Sequence, residues 1–282
     1  REIMIHKPEI NFRLLVASAY SGFLVWHGGL SGSIPLIIAT PDNFSYQWIG
    51  KIIPVTQTLF SSFNLVAVLG LVVLLLCVNY MMGRYNDQTQ TVCPRVSQPE
   101  MPEKEPINPA EKLEYTPFIP WAAGILALSY LYVKVDTGKL VFDINIVNFI
   151  FIFLALIFYA RIKLFLNAIN EAVSKIGPLL IQYPLYAGIM GIITHSKFVE
   201  ILSQWFVEVS TPKTFPLLTF LSAGLINLFI PSGGGQWIVQ GPVVIQAAQN
   251  LKVDMALASM AVAWGDSWTN LLQPFWALPL VA

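Results

Sequence analysis

Charge is scarce in this chain. Asp, Glu, Lys and Arg make up 11% of its 282 residues, against roughly 25% in ordinary soluble domains. The charges present cancel, 16 basic against 16 acidic, which offers no footing for nucleic acid or for a peripheral membrane contact held by charge. Cysteine is nearly missing. Cys77 lies in an apolar run and Cys93 in a polar stretch, which argues against a structural disulfide. Three histidines, His6, His27 and His195, are too scattered to build the four-ligand set that zinc requires. No strand-like alternation over about 10 residues marks a membrane β-barrel. The phosphate-cradling G-x-x-x-x-G-K-[ST] loop is missing, which disfavours a nucleotide-driven pump. So are H-E-x-x-H and G-x-S-x-G; Gly29-Leu30-Ser31-Gly32 comes nearest to the latter but lacks its final spacing.

What the chain has instead is hydrophobic length. Apolar residues make up 55% of it, with a mean hydropathy of +0.63, and they fall in runs. A bilayer core about 30 Å thick needs roughly 20 apolar residues in helix. Candidate segments lie at 14–39, 63–82, 118–133, 144–166, 178–194, 215–248 and 254–282. The expected fold is an all-α integral membrane protein, a polytopic helical bundle. The start at a polar Arg1 and the end inside an apolar run suggest a fragment, with transmembrane segments missing at both ends and no legible secretory leader. Residues 83–117 carry five prolines before Pro117 and read as a polar cytoplasmic linker. It divides residues 1–82, the end of a first repeat, from a second repeat at 118–282. Residues 167–176 and 197–209 have helical polar–apolar spacing suited to the membrane interface. If each span crosses once, Lys and Arg favour one side by about two to one, which makes that side cytoplasmic.

Three spans are interrupted. In 215–248, Pro231-Ser232-Gly233-Gly234-Gly235-Gln236-Trp237 separates two apolar arms, each expected to cover about half a bilayer. Backbone without partners is tolerated at that depth only inside protein or beside a water-filled cavity. The segment reads as a re-entrant hairpin entering from the outer face. Its tip offers a helix N-terminus to an anion, with Ser232, Gly233, Gly234, Gly235 and Gln236 as substrate-binding candidates. A Gly-rich packing surface or an ordinary loop is the plainer alternative.

Span 254–282 is expected to break around Gly265-Asp266-Ser267. Asp266 is the one acid well inside a span, and an intramembrane carboxylate is costly enough to mark function. It suits a coupling proton or Na⁺, or equally the cap of a resumed half-helix. Ser267, Thr269, Asn270 and Gln273 follow it as substrate-binding candidates. Span 14–39 breaks at His27-Gly28-Gly29-Leu30-Ser31-Gly32-Ser33-Ile34-Pro35. His27 is a second proton or ion candidate, though a lone apolar-span His is more often a packing residue. Ser31, Gly32 and Ser33 are substrate-binding candidates, while Gly28-x-x-x-Gly32 also fits helix packing. Gln182, Tyr183 and Tyr186 could line a cavity or merely pack. Trp26 with Pro35, and Trp264 with Pro274, bracket similar breaks in segments of opposite direction. That pattern marks an inverted-topology repeat.

At Trp26 to Pro35, Pro231 to Val244 and Ala263 to Pro279 the chain resembles the bacterial short-chain fatty acid transporter family. The resemblance implies a multi-pass inner-membrane secondary carrier of monocarboxylates such as acetoacetate or butyrate. It also implies kinship with the ion-transporter superfamily, with its inverted repeats and re-entrant hairpins. The expected partners are a small monocarboxylate and the lipid bilayer, with a homo-oligomer as an option and no nucleic acid. No cofactor is expected beyond a coupling Na⁺ or H⁺. The alternatives are a carrier of another small organic anion, a channel, or an intramembrane enzyme.

Overall fold

The computed structural model describes residues 11–85, 108–174, 176–273 and 275–276. The linker expected at 83–117 lies mostly outside them, as do residues 277–282 of the last span and the side chains of Gln182, Tyr183 and Tyr186. The described residues form helices and turns, with no strand among them. In chain order the α-helices are α1 Phe12–Ser21, α2 Ser33–Ala39, α3 Tyr46–Ile49, α4 Ser62–Tyr85, α5 Pro109–Glu114, α6 Phe118–Asp136 and α7 Ile144–Tyr159. They continue with α8 Ile162–Ser174, α9 Gly177–His195, α10 Phe198–Glu208, α11 Phe215–Asn227, α12 Gly233–Leu251 and α13 Met255–Thr269.

Phe12–Ala39, Ser62–Tyr85 and Phe118–Asp136 are long and apolar enough to cross a membrane. Their surfaces invert the soluble pattern, in which large apolar patches are covered and buried polar groups are few. On α4, Leu65, Val66, Leu69 and Leu76 are exposed, and Asn64 is the helix's buried side chain. His27, Asn227, Gln236, Gln240, Asp266 and Asn270 are all buried. Apolar outside and polar inside is what a hydrocarbon solvent selects.

The chain divides into two compact units, residues 1–100 with 189–282, and residues 101–188. In the first, α1 is capped by Asn11, whose side chain accepts from the Leu14 N–H. It leads into a 3₁₀ segment, Gly22–Gly28, and the chain leaves helical conformation at 29–32 before α2. The small-residue sequence of α13 (Met-Ala-Leu-Ala-Ser-Met-Ala) allows burial on most sides. Contact with α11 is closest where Gly265 faces the Phe220 carbonyl and Gly224 faces the Trp268 indole. Val199 of α10, Ile226 of α11 and Ile230 form a fully buried apolar cluster, closed by Leu202 and by Val239 of α12.

Three expectations are corrected here. Gly265, Asp266 and Ser267 do not break their helix, because α13 runs unbroken to Thr269 and passes into a 3₁₀ turn at Asn270–Leu272. Gly265 is there for close packing. The hairpin arms are unequal, since α12 has 19 residues against 13 in α11; at about 1.5 Å per residue, only α11 is near half a bilayer. In the second unit, the span expected at 144–166 ends at Tyr159. Ala160 turns the chain with φ 54° and α8 begins at Ile162. The N-terminus of α7 is set by Asp143, whose carboxylate accepts from the Ile146 N–H. Gly124 of α6 packs under Ile157 of α7, and Tyr130 rests on Phe149.

Candidate functional site

Position 32 is glycine and has no side chain to cap α2, so the first-turn N–H groups need another acceptor. The His27 ring supplies it. The Ile34 N–H donates to His27 Nε2 at 3.1 Å, and Ser33 Oγ lies 3.2 Å from the same nitrogen. A backbone N–H can only donate, so Nε2 carries a lone pair and the ring proton sits on Nδ1. Nδ1 then donates to Asp266 Oδ2 at 2.9 Å. Both side chains are fully buried, and Trp26 stacks on the imidazole with centroids 4.1 Å apart. His27 is therefore a neutral connector. It joins the break in the first segment to the last turn of α13.

Asp266 lies in the body of α13, which removes the reading of it as the cap of a resumed helix. Asn270, one turn on, donates to the same Oδ2 at 3.4 Å. The Asp266 carbonyl accepts from Asn227 Nδ2 at 2.7 Å, and that amide nitrogen also reaches Thr269 Oγ1 and Asn270 Oδ1, each at 2.8 Å. Gln273 Nε2 donates to the Asn227 carbonyl. Ser267 Oγ donates to the Leu24 carbonyl at 2.7 Å. Trp264 Nε1 donates to Asn64 Oδ1 at 3.0 Å, while Asn64 Nδ2 holds the Gly28 and Leu59 carbonyls at 2.9 and 2.8 Å. Through these bonds α13 grips both the end of α11 and the broken first segment.

The tip before α12 meets the same centre. A Cβ placed on Gly233 would lie 2.4 Å from His27 Cε1 and 2.7 Å from Ser33 Oγ, so only glycine allows the approach. Ser232 caps α12, its hydroxyl accepting from the Gly235 N–H at 3.2 Å. One turn along, Gln236 Nε2 donates to the Ala223 carbonyl at 2.9 Å and to Gln240 Oε1 at 2.8 Å, and Gln240 Nε2 donates to Ser222 Oγ at 3.0 Å. Trp237, fully buried, donates to Ser45 Oγ at 2.8 Å.

The structure thus brings together His27, Gly32, Ser33, Gly233, Gln236, Asp266, Ser267, Thr269, Asn270 and Gln273 at one buried junction. Others stand apart from its polar network. Ser31 is exposed and donates to the nearby Trp26 carbonyl. Ser232 is exposed, and Gly234 faces only the end of the Ile37 side chain. Asn64, Asn227 and Gln240 belong to the network and were not singled out from the sequence. The available signal was one amide in an apolar run, the same reasoning that marked Asp266. Within salt-bridge distance, Asp266 meets only His27 among the described residues. No group of three or more His, Cys, Asp or Glu side chains comes together there either.

The family model described as "Short chain fatty acid transporter" matches residues 1–282. A protein of Escherichia coli (strain K12) is 38% identical over 288 residues, covering 100% of this chain and 65% of the relative. One of Haemophilus influenzae is 38% identical over 279 residues, covering 95% of this chain and 62% of the relative. Each bears the name "Putative short-chain fatty acid transporter". The chain spans just under two thirds of the length of these relatives. No solved structure matches it.

Proposed function

The chain belongs to the short-chain fatty acid transporter family, and from that premise we propose that it forms the substrate-handling part of a secondary carrier. The family is one of transporters rather than enzymes. The cargo in this reading is a short-chain monocarboxylate of the acetoacetate or butyrate type. It crosses the bacterial inner membrane by alternating access through a multi-pass helical bundle.

One observation carries the reading. Two interruptions of helix, at 29–32 and at 228–232, meet at His27 and Gly233, and α13 gives way to a 3₁₀ turn at Asn270, which bonds Asp266. Non-helical backbone at membrane depth is tolerated where it lines a site, and carriers place substrate at such breaks. The substrate carboxylate docks at the N-terminus of α12, where the N–H groups of Gly233 and Gly234 point along the positive end of the helix dipole. Ser33 and Ser232 add hydroxyls. The cargo's short alkyl chain rests on apolar neighbours such as Ile37. His27 and Asp266 are fully closed off, so access requires the α11–α12 hairpin to move against the first segment. That hairpin and the opposed segments around Trp26 and Trp264 are the moving parts of an inverted repeat. Asp266, held by His27, takes the coupling ion.

The test is uptake of labelled butyrate and acetoacetate into proteoliposomes made with the full-length transporter. Saturable uptake above empty liposomes is expected, and Asp266→Asn should abolish or uncouple it. Absence of saturable uptake sinks the carrier reading. Wild-type coupled uptake by Asp266→Asn removes the carboxylate from the mechanism.

A further inference from the structure

Four buried acceptor oxygens at the junction have no hydrogen-bond partner: Asn227 Oδ1, Gln236 Oε1, Asp266 Oδ1 and Gln273 Oε1. Their side chains are 0 to 1% exposed. Amide orientation does not explain this. Each of the three amides commits its nitrogen to a backbone carbonyl: Asn227 to that of Asp266, Gln236 to that of Ala223, Gln273 to that of Asn227. A carbonyl can only accept, so none of the amides can be turned over. The oxygens are fixed as oxygens, and each is left without a donor at a cost of about 1–3 kcal/mol. Native proteins hold few such groups, and a cluster of four calls for a ligand.

We infer that Asn227 Oδ1, Gln236 Oε1, Asp266 Oδ1 and Gln273 Oε1 form a binding site for a monovalent metal cation, with Na⁺ the ion to test. The carriers of the four oxygens are mutually tied. Asn227 bonds Asp266 and Asn270, Gln273 bonds Asn227, and Gln236 bonds α11 one turn before Asn227. Gly233, three residues before Gln236, touches His27, which bonds Asp266.

Counting selects the ligand. A proton on Asp266 Oδ1 satisfies that oxygen and one neighbour, leaving two orphaned. One water molecule donates two hydrogens and also leaves two, so water answers the set only as a pair. A single hard metal cation accepts several oxygen ligands at once, and oxygen is the donor such cations prefer. Charge selects the valence. His27 is neutral because Nε2 accepts from Ile34, and no Lys or Arg among the described residues pairs with Asp266. The junction holds one carboxylate. A single positive charge neutralises it, whereas a divalent ion leaves an excess charge buried. His27 and Asn270 donate to the other carboxylate oxygen, which turns Oδ1 toward the ion as a second-shell partner does. The site's role as coupling ion rests on the carrier reading; its existence does not.

The experiment uses the purified full-length transporter in nanodiscs without substrate. Thermal unfolding and equilibrium binding of radioactive sodium are measured in NaCl, LiCl and KCl, each against choline chloride at constant ionic strength. A saturable, Na⁺-dependent rise in unfolding temperature and saturable bound sodium are expected. Asp266→Asn should weaken the apparent affinity about tenfold or more, and Gln236→Leu and Gln273→Leu severalfold. Wild-type protein that behaves identically in all four salts and binds no sodium overturns the proposal. So does wild-type sodium affinity in a folded Asp266→Asn or Gln236→Leu variant. Sodium binding by a protein that takes up no monocarboxylate supports the site and sinks only the carrier reading. Undiminished uptake without sodium, by a protein that binds none, sinks only the site.

Discussion

Gly265→Ala tests whether the α11–α13 contact is as tight as described, because intrinsic propensity and packing predict opposite signs. In a helix interior, Gly→Ala alone stabilises by about 1 kcal/mol. Here the new Cβ would lie 2.3 Å from the Phe220 carbonyl oxygen, 2.6 Å from Ala223 Cβ and 3.1 Å from the Gly224 nitrogen. Ordinary contact begins near 3.4 Å, and the nearest atom is backbone, so no rotamer change relieves the clash. The helices must separate by about 1 Å, the gap between 2.3 and 3.4 Å. Overpacking of this kind costs about 1–3 kcal/mol. The same displacement stretches the Asn227 bonds to Asp266 and Thr269, now 2.7 and 2.8 Å, beyond useful range, at about 1 kcal/mol each. The net expectation is destabilisation by about 2–4 kcal/mol. Gly70→Ala is the control, since Gly70 lies inside α4 with nothing within 4 Å of its added Cβ; it should be neutral or stabilising. The assay is thermal unfolding of both purified variants by tryptophan fluorescence. Gly265→Ala unfolding at or above the wild-type temperature would refute the packing argument.

Other perturbations follow from the same contacts. Gly233→Ala should leave a folded protein with uptake reduced at least about tenfold, because the His27 ring is held at both nitrogens and cannot retreat. His27→Ala exposes a buried carboxylate oxygen and the Ile34 N–H to apolar surroundings at a cost of about 3–5 kcal/mol. It should therefore fail to accumulate as a monodisperse peak in size-exclusion chromatography. Trp264→Phe leaves Asn64 Oδ1 buried and unpaired, a loss of about 1–3 kcal/mol. In the double variant with Asn64→Leu the unfolding cost should be less than the sum of the singles.

Much of the helical content was legible because hydrophobic length is a local property, and so was the break in the first segment, with Gly and Ser before a helix-starting Pro35. What escaped the sequence depends on partners far along the chain. Gly265-Asp266-Ser267 resembled a break because a buried Asp and a Gly are poor helix residues in isolation. In the fold, His27 answers the carboxylate across 239 residues, Leu24 takes the Ser267 hydroxyl, and α11 occupies the space a Cβ would fill. At the end of span 144–166 Arg161 and Lys163 marked a fall in hydropathy, but nothing local marked the left-handed turn at Ala160 that puts them in a new helix. Asn64 and Asn227 were hidden for a related reason. One amide in a long apolar run barely alters hydropathy, though it can carry several of the bonds that fix the site.

The pairing of Asn64 with Trp264 and of His27 with Asp266, 200 and 239 residues apart, sets a timetable for synthesis. A ribosome adds about 5–20 residues per second, so His27 and Asn64 emerge roughly 10–50 seconds before their partners. During that interval Asn64 Nδ2 and His27 Nε2 already have partners within the first segments, but Asn64 Oδ1 and His27 Nδ1 stay unanswered. Chains released before Trp264 therefore retain an unpaired Asn64 Oδ1 and an unpaired His27 Nδ1. The arrival of α13 supplies the last partners of the first segments. The helix that carries the proposed coupling carboxylate is also the one that completes the bonding of the first segments.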